Sequence, residues 1–332
     1  MKIIVDAFGG DNAPLAVLEG AALAVIEYGV EVLLAGDEAK IKECATVNNI
    51  PLDGMEILQA DDIMDMHDDP TEIVKSKKKT SMAVGLKALA DGLGDAFVSA
   101  GSTGALVVGG SLIVKRIKGV KRVALASFIP GKKGNYLMLD IGANADCRPE
   151  MLYQFGIMGS VYMEKVAGIT NPKVALLNNG AEETKGTPVH IEANALLREN
   201  KAIDFIGNIE GRYVMSGEAD VVVADGFSGN IALKTCEGVA GFMTKMLKGM
   251  LKKNAKTMLA AILLKNELKE FKAKLDYTEY GGAPILGVTK GVIKAHGSSN
   301  AKAFKNAIRQ AKIYAENNVS DVIAKSIVTE EE

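Results

Sequence analysis

The sequence predicts an α/β protein built on a mostly parallel sheet with helices on both faces. Short apolar runs rich in β-branched residues alternate with longer helical stretches along almost the whole chain. Several runs are too continuously apolar to leave one side wet: Asp220 to Lys234, DVVVADGFSGNIALK, opens with three valines, which read as a strand buried on both faces. Each such strand passes into a helix through a turn holding Gly and hydroxyl, amide or carboxylate side chains. These observations describe a three-layer α/β/α architecture, with residues 1–332 as a single α/β domain and 245–275 as a helical protrusion within it.

In chain order, KIIVD at Lys2 to Asp6 is the first strand, and a turn with Pro14 near its end leads to a helix reaching about Tyr28. Glu31 to Leu34 is a strand, Asp37 caps a second helix, and Met55 to Leu58 is a third strand. Asp61, Asp62, Asp65, Asp68 and Asp69 surround His67 without a fixed ligand spacing, which reads as a solvated loop. Lys75 to Ser81 is the sharpest local charge feature and precedes a helix from Met82 to about Asp91. Asp95 to Ser99 is a strand that ends in Ala100-Gly101-Ser102-Thr103-Gly104, a turn suited to an oxyanion. It lacks the Gly-Lys-Ser/Thr ending of a Walker loop and is not GxGxxG.

Arg122 to Phe128 and Tyr136 to Asp140 are two more strands, the second ending in Asp140-Ile141-Gly142-Ala143-Asn144. Cys147 follows with no His near it in sequence and reads as incidental. A helix from about Pro149 to Val166 leads to the strand Lys173 to Leu177 and the crowded turn Asn178 to Gly186. A helix from about Thr187 to Asn200 and the segment Phe205 to Gly211 precede the valine strand. That strand stops at Asp225-Gly226-Phe227-Ser228-Gly229-Asn230, and Ser228 is the expected cap of a helix beginning near Ile231. Helical spacing of Met243, Met246, Leu247, Met250 and Leu251 continues to about Leu275. Within it MLAAILL, Met258 to Leu264, is flanked by Lys252, Lys253, Lys256 and Lys265, as a core or dimer seam or an interfacial membrane segment would be. Asp276 to Val288 reads as a loop, Gly291 to Ala295 as the last strand, and Ala301 to Asn317 as a terminal helix.

Composition narrows the function classes. A net charge of −2 gives no global field for nucleic acid. Three scattered cysteines fit a reducing cytoplasm and form no disulfide framework or zinc spacing. Three distant histidines offer no paired-ligand motif, so no metal is expected. No basic leader followed by an apolar stretch opens the chain, so a secretory signal is not expected. No apolar run is long enough to span a bilayer.

If the strand ends share one edge, they gather Ser102 and Thr103, Asn144, Asn179 with Lys185, Asp225 with Asn230, and His296 with Ser298. Such a cleft suits an oxyanion, either phosphate or a tetrahedral intermediate.

Taken together, Asp6 to Pro14, Ser99 to Ala105, Asp140 to Asn144, Asn178 to Gly186, Gly207 to Gly211, Asp225 to Asn230, Tyr280 to Gly287 and His296 to Asn300 resemble the phosphate acyltransferases of bacterial phospholipid synthesis. The motifs span nearly the whole chain in one order. The resemblance implies a phosphotransacetylase/isocitrate-dehydrogenase-like fold and a homodimer that is cytoplasmic or peripheral on the inner face of the cell membrane. It implies transfer of a fatty acyl group from acyl carrier protein to inorganic phosphate, with no cofactor. The acyl phosphate would feed a glycerol-3-phosphate acyltransferase.

That chemistry lets phosphate attack the thioester itself. Lys185 would neutralise phosphate or the oxyanion, Asn230 and the Gly229 backbone would donate to the oxyanion, and Asp225 would accept a proton or orient Lys185. Ser102, Thr103, Gly104 and the following backbone would cradle phosphate, with Asn144, Asn179, Glu182, Ser228 and His296 in support. Lys75, Lys77, Lys78, Lys79, Lys115 and Arg116 would dock the acidic carrier, and Met258, Leu259, Ile262 and Leu263 would meet lipid. Rival readings are a coenzyme-A-dependent phosphotransacetylase, a dehydrogenase on a related sheet and a non-catalytic membrane scaffold.

Overall fold

The computed structural model describes residues 1–275 and 281–328. In chain order the elements are β1 (Lys2–Asp6), α1 (Leu15–Tyr28), β2 (Glu31–Gly36), α2 (Glu38–Val47), β3 (Met55–Gln59), α3 (Ser81–Ala90), β4 (Ala96–Ser99) and α4 (Thr103–Gly109). Then come β5 (Ala124–Gly131), β6 (Gly134–Leu139), α5 (Pro149–Ala167), β7 (Lys173–Asn178), α6 (Pro188–Glu199), β8 (Asp204–Glu210), β9 (Val221–Val223) and α7 (Gly226–Leu251). The chain closes with α8 (Ala255–Leu263), α9 (Lys265–Leu275), β10 (Ala283–Leu286), β11 (Gly291–Lys294), α10 (Ala301–Glu316) and α11 (Val319–Val328).

The strands form one sheet in the order β3-β2-β1-β4-β11-β10-β5-β6-β9-β7-β8. Its two faces explain the apolar runs. Ile3 and Val5 of β1 enter one core with α1, α5 and α10, while Ile4 enters the opposite core with α3 and α4. In β9, Val221 and Val223 face the first core and Val222 the second, and all three are fully buried. Side chains alternate across a strand, so a sheet covered on both faces needs apolar residues at every position.

Three expectations are corrected here. The strand ends do not share one edge. The β5–β6 hairpin and the antiparallel β10 pairings reverse direction mid-sheet, so β6, β7, β8 and β9 run opposite to β1, β2, β3, β4 and β11. The stretch read as loop from Asp276 contains β10, which pairs with β11 and β5; Pro284 and its four-residue length hid it. Asp276 to Tyr280 of that stretch, including Tyr280 of the quoted motif, lie outside the described residues. The terminal helix is followed by α11, whose Val319, Ile323 and Ile327 are buried.

The helical region after Asn230 is three helices. α7 ends at Leu251, and Asn254 opens α8 with a reciprocal cap to Thr257. Most apolar side chains of this protrusion are exposed: Met246, Met250, Met258, Leu259, Ile262 and Leu263 all show more than half their surface. Among the described residues no helix is long and apolar enough to cross a membrane.

Candidate active-site cleft

Two polar clusters lie at the ends of the two half-sheets, and each is organised by an aspartate that ends or follows a strand. Asp6 closes β1 and is 1% exposed. It accepts 2.6 Å hydrogen bonds from Ser81 Oγ and Ser99 Oγ, and Ser99 Oγ accepts from the Gly101 N–H at 3.0 Å. Burial pushes its carboxyl above the usual range, against the pull of those donors. Lys294 closes β11 in the same cluster. Its ammonium is buried and donates to the carbonyls of Ala100 and Ala295. Burial pulls its pKa down to about 8; Asp11 and Asp6 oppose this and Lys234 adds to it. The Ala100–Gly101 turn is thus held by a serine on one side and a lysine on the other.

The second cluster centres on Asp140, fully buried after β6. Its carboxylate accepts from the backbone N–H groups of Leu125, Gly142, Ala143 and Asn144 and from the Asn144 amide at 2.8 Å. Burial raises its pKa and these five donors offset part of the rise, each charge-assisted bond contributing about 1.5–3 kcal/mol. The Asn144 amide is therefore spent on Asp140 and Val123, while its carbonyl receives the Gly226 N–H at 2.8 Å. Helix α7 starts directly on this loop. A Cβ on Gly226 would lie 2.5 Å from the Asn144 oxygen, and one on Gly229 only 1.9 Å from the Asp140 carbonyl oxygen.

The start of α7 differs from expectation. Asp225, not Ser228, is its cap: the carboxylate accepts the Ser228 N–H at 2.8 Å, and the helix begins at Gly226. The Gly229 N–H is bonded within the helix to the Asp225 carbonyl at 2.9 Å, so it is not placed as an oxyanion donor. Its glycine is needed for close backbone approach instead. Asn230 gives one amide N–H to the Ile141 carbonyl at 2.9 Å and is otherwise exposed.

The β7–α6 turn joins this cluster through His190. Its Nδ1 is 2.8 Å from Thr187 Oγ1 and its Nε2 is 3.9 Å from Asp225 Oδ2. Gly186 packs between His190 and Asn178, whose amide donates to the Lys185 carbonyl. Lys185 is exposed, with its stem near Gly180 beside Glu182. The Asn208 amide pins the Glu182 carbonyl at 2.8 Å, and Asn179 is exposed with its N–H on Asn178. Ala145, Asp146, Cys147, His190, Asp225 and Phe227 help line a cavity of about 360 Å³ here. Burial, chiefly, pushes the Cys147 thiol up to about 12, consistent with an inert cysteine.

Lys185, Asp225 and Asn230 therefore belong to one connected set of loops. Ser102, Thr103, Gly104 and His296 belong to the Asp6 cluster: Ser102 caps α4 through the Ala105 N–H, and Gly104 packs on Pro70. His296 Nδ1 lies 2.8 Å from Ser298 Oγ and 3.3 Å from the Ser298 N–H. Lys234, one turn after Asn230, is close enough to lower the pKa of both Lys294 and His296, behind the larger effect of burial in each.

Asp6, Asp140, His190, Lys234 and Lys294 escaped the sequence reading as site residues. Asp6 and Asp140 carried a signal, since each follows an unbroken apolar strand; His190 and Lys234 lie on helices in patterns that look ordinary. The expected carrier-docking lysines are partly occupied: Lys77 lies 3.3 Å from Asp62 and 3.4 Å from Asp68, Lys79 3.8 Å from Asp61, and Lys75 3.7 Å from Glu72. The acidic loop is thus the partner of the basic run. Arg116 donates to the Lys121 carbonyl, and Lys78 and Lys115 are exposed.

The family model described as "Fatty acid synthesis protein" matches residues 1–322. Proteins named phosphate acyltransferase in Alkaliphilus oremlandii and Listeria welshimeri are 46% and 47% identical to this chain. The matches run over 327 and 329 residues, covering 98% of the chain and 97% and 96% of those proteins. The chain belongs to the phosphate acyltransferase family. This phosphate acyltransferase shares its fold with phosphotransacetylases, as the resemblance implied. A phosphotransacetylase from Streptococcus pyogenes superposes with a TM-score of 0.66 at 18% identity, over 95% of this chain and 94% of that one. A 4-hydroxythreonine-4-phosphate dehydrogenase from Burkholderia phymatum gives 0.50 at 15% identity, over 94% and 97%. The phosphate acyltransferase sheet is therefore a scaffold that also serves dehydrogenases, so its chemistry resides in the cleft rather than the fold.

Proposed function

We propose that the protein transfers a fatty acyl group from the thioester of acyl carrier protein to inorganic phosphate, yielding an acyl phosphate. A phosphate oxygen attacks the carbonyl carbon, a C–O bond forms, the C–S bond breaks, and the leaving thiolate takes a proton. Phosphate is the nucleophile, so no side chain need be acylated. Support comes from one observation above all: in a member of this family the turn that carries Lys185 leads to His190, which meets Asp225 beside an open cavity, and Asn230 follows on the helix that Asp225 caps.

In this reading the second N–H of Asn230 and the Lys185 ammonium stabilise the carbonyl oxygen as charge develops, each such donor contributing roughly 10²–10³ in rate. Asp225, with His190 beside it, takes the phosphate proton or orients the cation. Ser102, Thr103 and Gly104 hold phosphate from the other half-sheet, and Asn179 and Glu182 set the shape of the Lys185 turn. The carrier's acidic surface competes with Asp61, Asp62 and Asp68 for Lys77 and Lys79, while Lys75, Lys78, Lys115 and Arg116 extend the same contact.

The chain acts as a homodimer in the cytoplasm, peripheral on the inner membrane face, and passes its product to a glycerol-3-phosphate acyltransferase. The exposed Met258, Leu259, Ile262 and Leu263 enter lipid while the flanking lysines face headgroups. Incubating the purified protein with long-chain acyl carrier protein and phosphate tests the reading: acyl phosphate and free carrier thiol should appear together. Turnover with acetyl-coenzyme A but none with the acyl carrier would instead favour the activity named for the Streptococcus pyogenes neighbour.

A further inference from the structure

The cavity of about 360 Å³ is lined from the starts of three helices, α5, α6 and α7. Its wall is apolar at Leu152, Val189 and Phe227 and polar at Thr187, His190 and Asp225. His190 is held from three directions. Its Nδ1 lies 2.8 Å from Thr187 Oγ1, and its Nε2 lies 3.9 Å from Asp225 Oδ2. A Cβ on Gly186 would come within 2.7 Å of the His190 Cβ, so the turn packs closely against its base. A hydroxyl can donate or accept, so Thr187 holds the ring in either protonation state and leaves Nε2 to exchange a proton. Asp225 divides its carboxylate in a matching way. Oδ1 accepts the Ser228 N–H, while Oδ2 faces the ring. The Cys147 thiol on the same wall stays protonated, because burial pushes it up to about 12.

We propose that His190 is the general acid that protonates the leaving thiolate, and that this cavity receives the sulfur end of the donor's thiol arm. This inference rests on the acyl-transfer reading, which leaves that proton without a named source. Imidazole is the side chain that exchanges a proton nearest neutral pH, and it is the commonest general acid. Leu152, Val189 and Phe227 give the arm an apolar wall, and Asn230, placed on the carbonyl oxygen, follows in the early turns of the same α7. As a phosphate oxygen bonds to the carbonyl carbon, its O–H proton passes to Asp225. The C–S bond breaks, its electron pair stays on sulfur, and the Nε2 proton of the imidazolium goes to sulfur. Asp225 then returns its proton to Nε2. Both groups end as they began, and solvent supplies no proton.

His190→Gln removes the acid and keeps the helix. Thr187 is the residue before α6 and His190 the third within it, so the variant reads Thr-x-x-Gln, the pattern of a capping box. Two donors are compared at saturating phosphate: long-chain acyl carrier protein and the same acyl chain as a thioester of thiophenol. An aryl thiolate is a weaker base and leaves without needing a proton. With the carrier, kcat should fall about 10²-fold while the KM values for carrier and phosphate stay within twofold of wild type. With the thiophenol ester the loss should shrink to less than about fivefold. Thr187→Val, which keeps the shape and removes the Nδ1 partner, should show the same dependence on leaving group at a smaller size, and it is read in the same way should His190→Gln fold poorly. Equal losses with both thioesters, or a carrier kcat within twofold of wild type, overturn the assignment and leave the acyl-transfer reading standing. A wild type that forms no acyl phosphate from either donor overturns that reading, and the assignment with it.

Discussion

Replacing Gly229 with Ala sets two effects against each other. Helix propensity alone predicts a gain of roughly 0.5–1 kcal/mol, because Gly is the poorer helix former. The packing predicts a loss. The new Cβ would stand 1.9 Å from the Asp140 carbonyl oxygen, where real Cβ atoms essentially never come closer than 3.0 Å, so α7 must retreat by about 1.1 Å. The obstructing atom is backbone, held by the Asp140 carboxylate network, and cannot rotate aside. Overpacking of this kind costs about 1–3 kcal/mol, which exceeds the propensity gain. A shift of that size also displaces Asn230, and a misplacement of about 1 Å can cost about 10²-fold in rate. Gly238, on the exposed part of the same helix, meets nothing within 4 Å and provides the contrast. Urea unfolding should show Gly229→Ala destabilised by at least about 1 kcal/mol and Gly238→Ala unchanged or slightly stabilised. Phosphate-dependent release of carrier thiol should fall about 10²-fold in the first variant only. A Gly229→Ala protein as stable and active as the wild type would refute the claim that backbone contact at Asp140 places the start of α7.

Other outcomes follow from the same structure. Lys185→Ala should lose acyl phosphate formation by roughly 10²-fold or more while its far-UV circular dichroism and urea midpoint stay at wild-type values, because the side chain is exposed. Lys294 titrates near pH 8 when folded and near the ordinary 10.5 when unfolded, so between those values the unfolded chain binds more protons. Its contribution to stability should therefore rise with pH over that window, on the order of 3 kcal/mol in full; urea midpoints of wild type and Lys294→Met at pH 7.5, 9 and 10.5 measure the difference. Leu263→Glu, at a side chain 75% exposed, should cut co-flotation with anionic vesicles several-fold and spare turnover of acyl carrier protein in solution.

Much of the fold was legible because burial on two faces leaves a local mark. KIIVD and the three valines of β9 show it, since an unbroken apolar strand has few alternatives. Caps at Asp37 and the turn at Ser102 were equally readable. β10 was not, because four residues around Pro284 carry too little pattern. The choice between Ser228 and Asp225 as cap was beyond local pattern as well, since both side chains can accept the bond and only the path of the backbone selects one.

The sequence by itself determined the layers, the family and the polar turns that end the strands, because alternation, capping and turn chemistry act over a few residues. Which turns meet was decided only in three dimensions. The β5–β6 hairpin reverses the sheet, so turns expected along one edge fall on two, and helix α7 then starts on one of them, with Asn230 donating to the Ile141 carbonyl. Strand direction and helix placement depend on pairings between residues far apart in the chain, and no short stretch of sequence contains that information.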